Sequence, residues 1–230
     1  MVILANKSMP KQALQHLSAF GELILIQTKG ITYPAVAGHP DIFFCDMMGM
    51  LAIAPNVPRS VKIKLKEQKI DLIEGYLPVG HQYPETALYN CVVTEDFLIG
   101  NKDLIDKKIW ESVADKGFIH VKQGYTRCNL LPLADNRFIT SDKGIEKALT
   151  EKDLEVLYVN PEGIQLPGFD HGFIGGCCGI SGNKVFFIGS LNHFPEGIKM
   201  REFLAGCEII ELYDGPLFDG GSLMLFNCLP

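Results

Sequence analysis

No apolar run in this sequence approaches the length of a membrane-spanning helix, and the first residues are too few and too weakly basic for a secretory signal peptide. Basic residues are also in short supply, with 21 lysines and arginines against 27 acidic residues and a formal net charge of −6. Because a nucleic-acid partner favours a basic face, this balance argues against one. We therefore expect a cytoplasmic protein with no membrane or nucleic-acid partner.

Seven cysteines are present but no pair of Cys-x-x-Cys units, so the sequence predicts no structural zinc site. The number is odd, and the spacings match no small disulfide scaffold, which favours reduced thiols. Cys177 and Cys178 are adjacent, which disfavours a disulfide between the two. No other motif indicates a metal or a cofactor, and we expect neither.

Regular repetition dominates the 230 residues, of which 47% are hydrophobic, as in ordinary globular proteins. Short apolar runs alternate with helical patterns, and a polar residue ends one strand in each cycle. Every one of these residues can accept a hydrogen bond from the free N–H groups of a starting helix. They are Asn6, Asn56, Asn101, Asp142 and Ser190, separated by 50, 45, 41 and 48 residues. A period of about 46 residues predicts a repeat architecture.

A second series of positions follows the same period and precedes the last apolar strand of each cycle. It comprises Asp41, Glu85, Thr126, Asp170 and Asp219, separated by 44, 41, 44 and 49 residues. Each cycle reads as strand, helix, strand, loop and strand, and one such unit cannot bury its own apolar faces. Five units must share a core, which predicts five outer helices and polar segments that converge on an axis.

The last unit lacks one strand, because the chain ends soon after Asp219. We expect residues 2–5 to supply that strand by pairing with residues 223–226, which closes the ring. This arrangement predicts a single domain over residues 1–230, closed by the N-terminal strand. The predicted fold class is α/β, with five strand–helix–strand–strand repeats around a pseudo-five-fold axis. The helical pattern in every unit argues against an all-β propeller of similar period.

Three segments resemble motifs of the pentein superfamily of arginine deiminases, agmatine deiminases, dimethylarginine hydrolases and amidinotransferases. HPDIFF at residues 39–44 resembles the segment that opens the first unit in the hydrolases. GFDHGF at residues 168–173 resembles their His-x-Asp segment, and FDGGSLM at residues 218–224 resembles their Gly-Gly-x-x-Cys segment. The resemblance covers nearly the whole chain and implies the pentein fold, a five-fold α/β propeller.

The resemblance departs from the family at the two residues that carry covalent catalysis. Gly168 falls where the family has its catalytic histidine, and Met224 falls where it has the nucleophilic cysteine. Methionine cannot act as a thiolate nucleophile, so we expect no hydrolysis of arginine or agmatine through a thiouronium intermediate. His171 and Cys228 lie three and four residues from the expected positions, and a slip in register could restore either. No catalytic residue is therefore assigned.

Aspartates at equivalent positions of different units are expected to meet at the axis. Asp41, Asp170 and Asp219 would repel one another unless a cation or protons intervene, which favours a guanidinium or ammonium pocket. The alternative is that each aspartate caps its own hairpin through an Asx turn. Arg127 could hold a ligand carboxylate through two hydrogen bonds or pair with a neighbouring aspartate. The full set of predicted ligand-binding residues is Asp41, Asp46, Glu85, Asn90, Arg127, Asp170, His171 and Asp219.

Three functions are open on these residues. The first is a site for a small cationic or zwitterionic molecule with a guanidino, amidino or amino-acid group, as the pentein resemblance implies. The second is a non-catalytic pentein that binds a macromolecule, like the ribosome anti-association factors, which share the fold and lack the nucleophile. The third is a thiol enzyme that uses Cys177 or Cys178, whereas Cys45, Cys91 and Cys128 are expected to be small buried hydrophobes. The sequence predicts neither the substrate nor the oligomeric state.

Overall fold

Five small sheets of three strands each repeat around a common axis. The computed structural model describes residues 1–227, and Cys228 lies outside them. The strands described are β1 (Val2–Asn6), β2 (Glu22–Ile26), β3 (Phe44–Asp46), β4 (Met50–Ile53), β5 (Asp71–Glu74), β6 (Val92–Val93), β7 (Phe97–Gly100), β8 (Gly117–His120), β9 (Leu130–Pro132), β10 (Arg137–Thr140), β11 (Glu155–Tyr158), β12 (Cys178–Ser181), β13 (Lys184–Phe187), β14 (Glu208–Glu211) and β15 (Met224–Phe226).

Seven α-helices lie within the described part of the chain, and five of them join the two parallel strands of a unit. The helices are α1 (Lys11–Leu17), α2 (Pro40–Phe43), α3 (Arg59–Glu67), α4 (Lys107–Ser112), α5 (Thr126–Asn129), α6 (Lys143–Thr150) and α7 (Gly197–Phe203). The five connecting helices are α1, α3, α4, α6 and α7, whereas α2 and α5 are single turns. None of the helices within residues 1–227 is long and apolar enough to cross a membrane.

Each sheet has the same topology, which confirms the predicted five-fold α/β propeller. The sheets are β15-β1-β2, β3-β4-β5, β6-β7-β8, β9-β10-β11 and β12-β13-β14. The middle strand pairs in parallel with the strand that follows its helix and antiparallel with a short inner strand. The N-terminal strand β1 is the middle strand of the closing sheet, where Ile3 lies opposite both Leu23 and Leu225.

Local sequence explains where α6 begins and which face it buries. The Asp142 carboxylate accepts a hydrogen bond from the Ile145 N–H at 2.9 Å, which satisfies one free donor at the helix start. Ile145 and Leu149 are four residues apart, lie on one face of the helix and are both fully buried. This single turn-to-turn spacing is enough to orient the helix against the sheet.

The polar residues that end strands mostly start turns, so their predicted role as helix caps is corrected. Only Asp142 among the five caps an α-helix; Ser190 caps a short 3₁₀ turn over Leu191–His193. Asn6 and Asn101 accept hydrogen bonds from N–H groups two residues ahead, and Asn56 bonds to Val79 across a loop. A few residues separate strand from helix in these units, so the first N–H within reach belongs to the turn.

Apolar side chains from neighbouring units form shared clusters, as expected when one unit cannot bury its own faces. One cluster joins Ile3 and Leu225 of the closing sheet to Phe186 of the adjacent sheet. A second cluster joins Ile99 and Phe138, again from adjacent sheets. The packing therefore holds consecutive units against each other and fixes the inner strands around the axis.

Candidate functional site

Short turns that precede the inner strands meet at the axis and are joined by hydrogen bonds from unit to unit. The contacts are Asn90 Nδ2 to the Asp41 carbonyl at 3.0 Å, Thr126 N to the Asn90 carbonyl at 3.2 Å, Arg127 Nη1 to the Gly175 carbonyl at 2.9 Å, Ser222 Oγ to the same carbonyl at 3.0 Å, and Asp41 N to the Gly221 carbonyl at 3.1 Å. The series passes through all five units and returns to the first, so the axis is filled by the protein itself.

A buried carboxylate lies at the centre of these turns. Asp41 follows Pro40 at the start of α2 and is fully buried. Its Oδ2 accepts hydrogen bonds from Cys128 Sγ at 3.0 Å and Ser222 Oγ at 2.7 Å. Asn90 donates to the same Cys128 sulfur at 3.2 Å. We call Asp41, Asn90, Cys128 and Ser222 the axial plug.

A second buried carboxylate, Asp219, lies near a histidine at one end of the plug. Asp219 accepts hydrogen bonds from the N–H groups of Phe173 at 2.9 Å and Gly221 at 3.0 Å. Burial raises the pKa of Asp219 to about 6, against the lowering effect of those two donors. His39 Nδ1 lies 3.9 Å from Asp219 Oδ1, and burial lowers the pKa of His39. The imidazole is therefore held in its neutral form.

Two cavities flank the axial plug. His39 and Asp219 line a cavity of about 220 Å³, which we call the cleft. A larger cavity of about 610 Å³, the axial funnel, is lined by residues before or within the inner strands of all five units. The chain runs from His39 in the cleft through Asp41 to Cys45 in the funnel, so the plug separates the two cavities.

The axial funnel has charged groups of both signs. Arg127 lines it, and its Nη1 donates to the carbonyls of Gly175 and Leu130, the latter at 3.2 Å. No carboxylate among residues 1–227 forms an ion pair with Arg127. Asp46 lines the same cavity and accepts a hydrogen bond from the Met48 N–H at 3.0 Å. Although the Asp46 side chain is exposed, partial desolvation by the funnel wall raises its pKa.

The structure divides the predicted ligand residues into three groups. Asp41, Asn90 and Asp219 are buried at the axis, whereas Asp46 and Arg127 line the funnel. The remaining three, Glu85, Asp170 and His171, are exposed on loops. The predicted meeting of Asp170 with Asp41 and Asp219 is therefore wrong.

A shift of register explains the two misplaced acidic residues. Asp41 and Arg127 lie three residues before the inner strands β3 and β9, and Gly175 lies three residues before β12. Asn90 lies two residues before β6. Glu85 and Asp170 each lie five residues upstream of the residue that reaches the axis. The loops that precede the inner strands of the second and fourth units are therefore longer than the repeat period suggested. The period gives the average length of a unit, so it cannot show which residue of a loop reaches the axis.

His171 has no carboxylate partner among the described residues. Its Nδ1 is 2.9 Å from the carbonyl oxygen of Gly172, and its ring packs edge-on against Phe173. Within residues 1–227 its ring makes no hydrogen bond to Asp170 or to Asp219. His171 therefore belongs to a surface loop.

Three glycines between residues 168 and 182 allow residues of neighbouring units to pack closely against the backbone. A Cβ at Gly176 would lie 2.0 Å from Asp219 Oδ1, and one at Gly172 would lie 2.5 Å from the Asp219 Cβ. A Cβ at Gly175 would lie 2.2 Å from the Arg127 carbonyl oxygen. These approaches are too close for any side chain, so the glycine content follows from packing at the axis.

Cys177 and Cys178 are fully buried thiols that donate to nearby carbonyls. Each sulfur is 3.1 Å from its acceptor, the Phe173 carbonyl for Cys177 and the Ile174 carbonyl for Cys178. Burial raises the pKa of Cys177 well above its usual range and that of Cys178 to about 12. A nucleophile must be a thiolate, so these two residues do not support the thiol-enzyme hypothesis.

We expect Cys207 to be alkylated first among the described cysteines when the native protein is treated with iodoacetamide at neutral pH. Cys207 is partly exposed, whereas the other five described cysteines are buried. The measurement is site-resolved mass spectrometry in a Cys228→Ser background, which removes the cysteine outside the described residues. Rapid modification of Cys177 or Cys178 would contradict the prediction and revive the thiol-enzyme hypothesis.

Sequence reasoning missed three residues at the axis. His39 lies inside the HPDIFF segment, but its imidazole was given no role. Cys128 was expected to be a small hydrophobe, yet it donates to Asp41. Ser222 lies between the paired glycines and Met224. The proximity of His39 to Asp41, two residues apart, was the available signal for one of them.

Solved structures with a similar fold are known. A mutant DDAH from Pseudomonas aeruginosa complexed with citrulline is similar with a TM-score of 0.54 at 11% identity, covering 91% of each chain. SxtG, an amidinotransferase from Microseira wollei, has a TM-score of 0.55 at 11% identity, covering 91% of this chain and 87% of its own. C. jejuni agmatine deiminase has a TM-score of 0.54 at 11% identity, and the match covers 91% of this chain and 74% of the deiminase chain.

These similarities, at low identity, define the class of fold. The chain has the pentein fold, as the three sequence segments implied. More narrowly, it belongs to DUF6873, a family of unknown function whose model matches residues 4–224. No curated protein matches the sequence.

Proposed function

We propose that the axial funnel binds a small zwitterionic or cationic molecule, such as an amino acid or a guanidino acid, without a covalent bond to the protein. The observation that carries this proposal is the pair of opposite charges, Arg127 and Asp46, on the wall of one cavity. A carboxylate on the ligand would bind Arg127, and an ammonium or guanidinium group would bind Asp46. The funnel volume of about 610 Å³ is within the usual range for small-molecule sites.

The charges around the funnel favour a ligand with a positive end. Besides Asp46, the lining includes Glu95, Asp96 and Asp135, against one basic residue, Arg127. A cation near several carboxylates lowers the cost of keeping them ionised. The proposed ligand class is the one expected from the sequence, but the residues proposed to bind it are now Asp46 and Arg127, which line the funnel. Asp41 and Asp219 are too deeply buried to contact this ligand.

The funnel supplies no ready thiolate. Met224 lines it at the position where the pentein resemblance places the nucleophile. The two cysteines in the lining, Cys45 and Cys91, have sulfurs 3.5 Å apart. This hydrogen bond, followed by burial, raises the pKa of Cys45 well above its usual range. These features support binding without covalent catalysis.

We expect a matching ligand at about 100 times its dissociation constant to stabilise the fold by roughly 2.7 kcal/mol. This corresponds to a rise of several degrees in the melting midpoint, since about 1 kcal/mol moves it roughly 2–4 °C in a domain of this size. The measurement is a thermal-shift screen of arginine, agmatine, methylated arginines, guanidinoacetate, ornithine and simple amino acids. The same ligands should give no shift in Asp46→Asn, which removes the charge but retains an acceptor for the Met48 N–H.

Asp170→Asn is the matched control, because it makes the same change on an exposed loop outside the funnel. It should leave the ligand shift unchanged. A shift lost in Asp170→Asn and retained in Asp46→Asn would place the ligand elsewhere and contradict the proposal. Release of citrulline or ammonia from arginine would contradict the non-covalent part, and loss of that release in Cys228→Ser would identify a nucleophile outside the described residues.

A non-catalytic pentein that binds a macromolecule is the second candidate. Met48, between β3 and β4, is 62% exposed and lines the funnel, and Met50, the first residue of β4, is 40% exposed. Exposed methionines are adaptable contacts for a protein partner. This candidate replaces the first if no cationic or zwitterionic ligand in the screen shifts the melting midpoint.

A further inference from the structure

We infer that His39, Asp41 and Cys128 form a binding site for one zinc-type divalent metal ion at the axis, separate from the funnel. One donor atom from each of the three side chains lies within 4.8 Å of the other two. His39 and Asp41 come from the segment that enters the first inner strand, and Cys128 comes from α5 in another unit. All three residues are buried.

The strongest support is a set of buried polar atoms that have no partner. Neither ring nitrogen of His39 has a hydrogen-bond partner among the described residues, and the same holds for Asp41 Oδ1. His39 is only 2% exposed. Buried polar atoms are nearly always satisfied in folded proteins, so three orphans in one cluster require an explanation. A metal ion bound there would give His39 and Asp41 the partners they lack.

Charge leads to the same conclusion. The Asp41 carboxylate and the Cys128 thiol are buried 3.0 Å apart, and the buried Asp219 carboxylate lies beside His39. A divalent ion would neutralise the carboxylate and the thiolate together, since metal binding displaces the thiol proton. Neither ring nitrogen of the buried His39 has a hydrogen-bond partner among the described residues, so a nitrogen lone pair is available to a metal.

The donor types favour zinc. Thiolate, imidazole and carboxylate are all zinc ligands, with bonds of about 2.0–2.3 Å in tetrahedral geometry. Ligand atoms around such an ion lie about 3.5 Å apart. Cys128 Sγ and Asp41 Oδ2 are already 3.0 Å apart, and no pair of donor atoms in the cluster is separated by more than 4.8 Å, so binding requires only small side-chain movements. Three protein ligands leave a fourth position for water or for a small ligand. Calcium and magnesium are disfavoured because they require oxygen ligands.

Neighbouring residues support the histidine as a ligand. Asp219 Oδ1 lies 3.9 Å from His39 Nδ1, close to where a carboxylate orients a metal-binding imidazole. Gly221 packs directly against the ring, since a Cβ there would lie 2.3 Å from His39 Cγ. The other ring nitrogen of His39, Nε2, has no partner among the described residues and could bind the ion. His39 and Asp219 line the cleft, and both ring nitrogens of His39 are buried behind it.

Sequence spacing could not reveal this site. Metal motifs are recognised when ligands fall a few residues apart, but Cys128 lies 87 residues from Asp41. The expectation that the protein has no metal site rested on the absence of such local motifs. Ring closure of the propeller is what brings the three ligands together.

Cobalt titration of metal-free protein tests the inference directly. We expect one equivalent of Co²⁺ to bind and to produce thiolate-to-cobalt charge-transfer absorption. Cys128→Ser should lose this absorption, and Cys177→Ser, the matched change at another buried cysteine, should retain it. Zinc should displace the cobalt and raise the melting midpoint of the wild-type protein by several degrees, but not that of Cys128→Ser.

X-ray absorption of the zinc-loaded wild-type protein keeps the test independent of variant folding. It should show one sulfur at about 2.3 Å together with nitrogen and oxygen ligands at about 2.0–2.2 Å. Absence of stoichiometric cobalt or zinc binding would overturn the inference, and the orphan atoms would then require a buried water. Charge-transfer absorption that survives Cys128→Ser but disappears in Cys91→Ser would also overturn it, because the ion would then lie at the funnel cysteines.

Discussion

Gly175→Ala is expected to lower the free energy of unfolding by about 3 kcal/mol or more, at or above the top of the usual range for overpacking. The new Cβ would lie 2.2 Å from the Arg127 carbonyl oxygen and 2.8 Å from the Leu130 amide nitrogen. Both atoms belong to the backbone and cannot rotate away. The α5 segment would have to separate from the fourth unit, with loss of the Arg127 hydrogen bond to Gly175.

Thermal unfolding measures this effect as a fall of roughly 6–12 °C in the melting midpoint, from about 2–4 °C per kcal/mol. Gly182→Ala is the control, because Gly182 has φ +58 and a Cβ added there would meet no atom within 4 Å. Its cost comes only from left-handed backbone, about 1–2 kcal/mol. Equal losses in the two variants would show that the glycine at 175 has no special role in packing the units together.

Removal of residues 1–6 is expected to abolish cooperative unfolding of the whole protein. All five residues of β1 are buried, and the strand pairs with β2 on one side and β15 on the other. Burial of Val2, Ile3 and Leu4 contributes roughly 1.5–3 kcal/mol each, so their joint loss approaches the roughly 5–15 kcal/mol that stabilises a typical domain. The measurement is circular dichroism during thermal unfolding of the truncated protein.

This prediction also tests the proposal that residues 1–230 form one domain closed by the N-terminal strand. Leu4→Ala is the milder version and should cost about 2–5 kcal/mol, whereas Leu77→Ala, at an exposed leucine, should change stability by about 0.5 kcal/mol or less. A truncated protein that still unfolds in one sharp transition would show that the other four units fold without closure. In that case the single-domain proposal is wrong.

Local pattern made the architecture predictable. Each unit contains a short buried strand, a connecting helix and a second strand, and each of these elements is encoded by residues that are neighbours in sequence. In α6 the start and the buried face are also local, because they depend on Asp142, Ile145 and Leu149. The other strand-ending residues do not cap α-helices, because a turn of a few residues intervenes before the helix begins.

The candidate site was only partly predictable. Asp46 and Arg127 belong to the predicted ligand-binding set, Arg127 because it follows Thr126 of the repeat series, and both line the funnel. Glu85 and Asp170 were assigned by counting a period, and a five-residue difference in loop length moved them to the surface. Asn90 and Gly175 took their places at the axis. A residue count along the chain cannot distinguish a longer loop from a longer strand.

By itself, the sequence determined five repeating units, their strand–helix–strand order and the class of fold, because these depend on hydrophobic period and turn residues that act locally. Only the tertiary structure decided which polar side chains share a cavity and which are buried. His39, Asp41 and Cys128 meet because the ring places turns from distant parts of the chain around one axis. Contacts of that kind depend on loop length and packing, and both are settled only when the whole ring assembles.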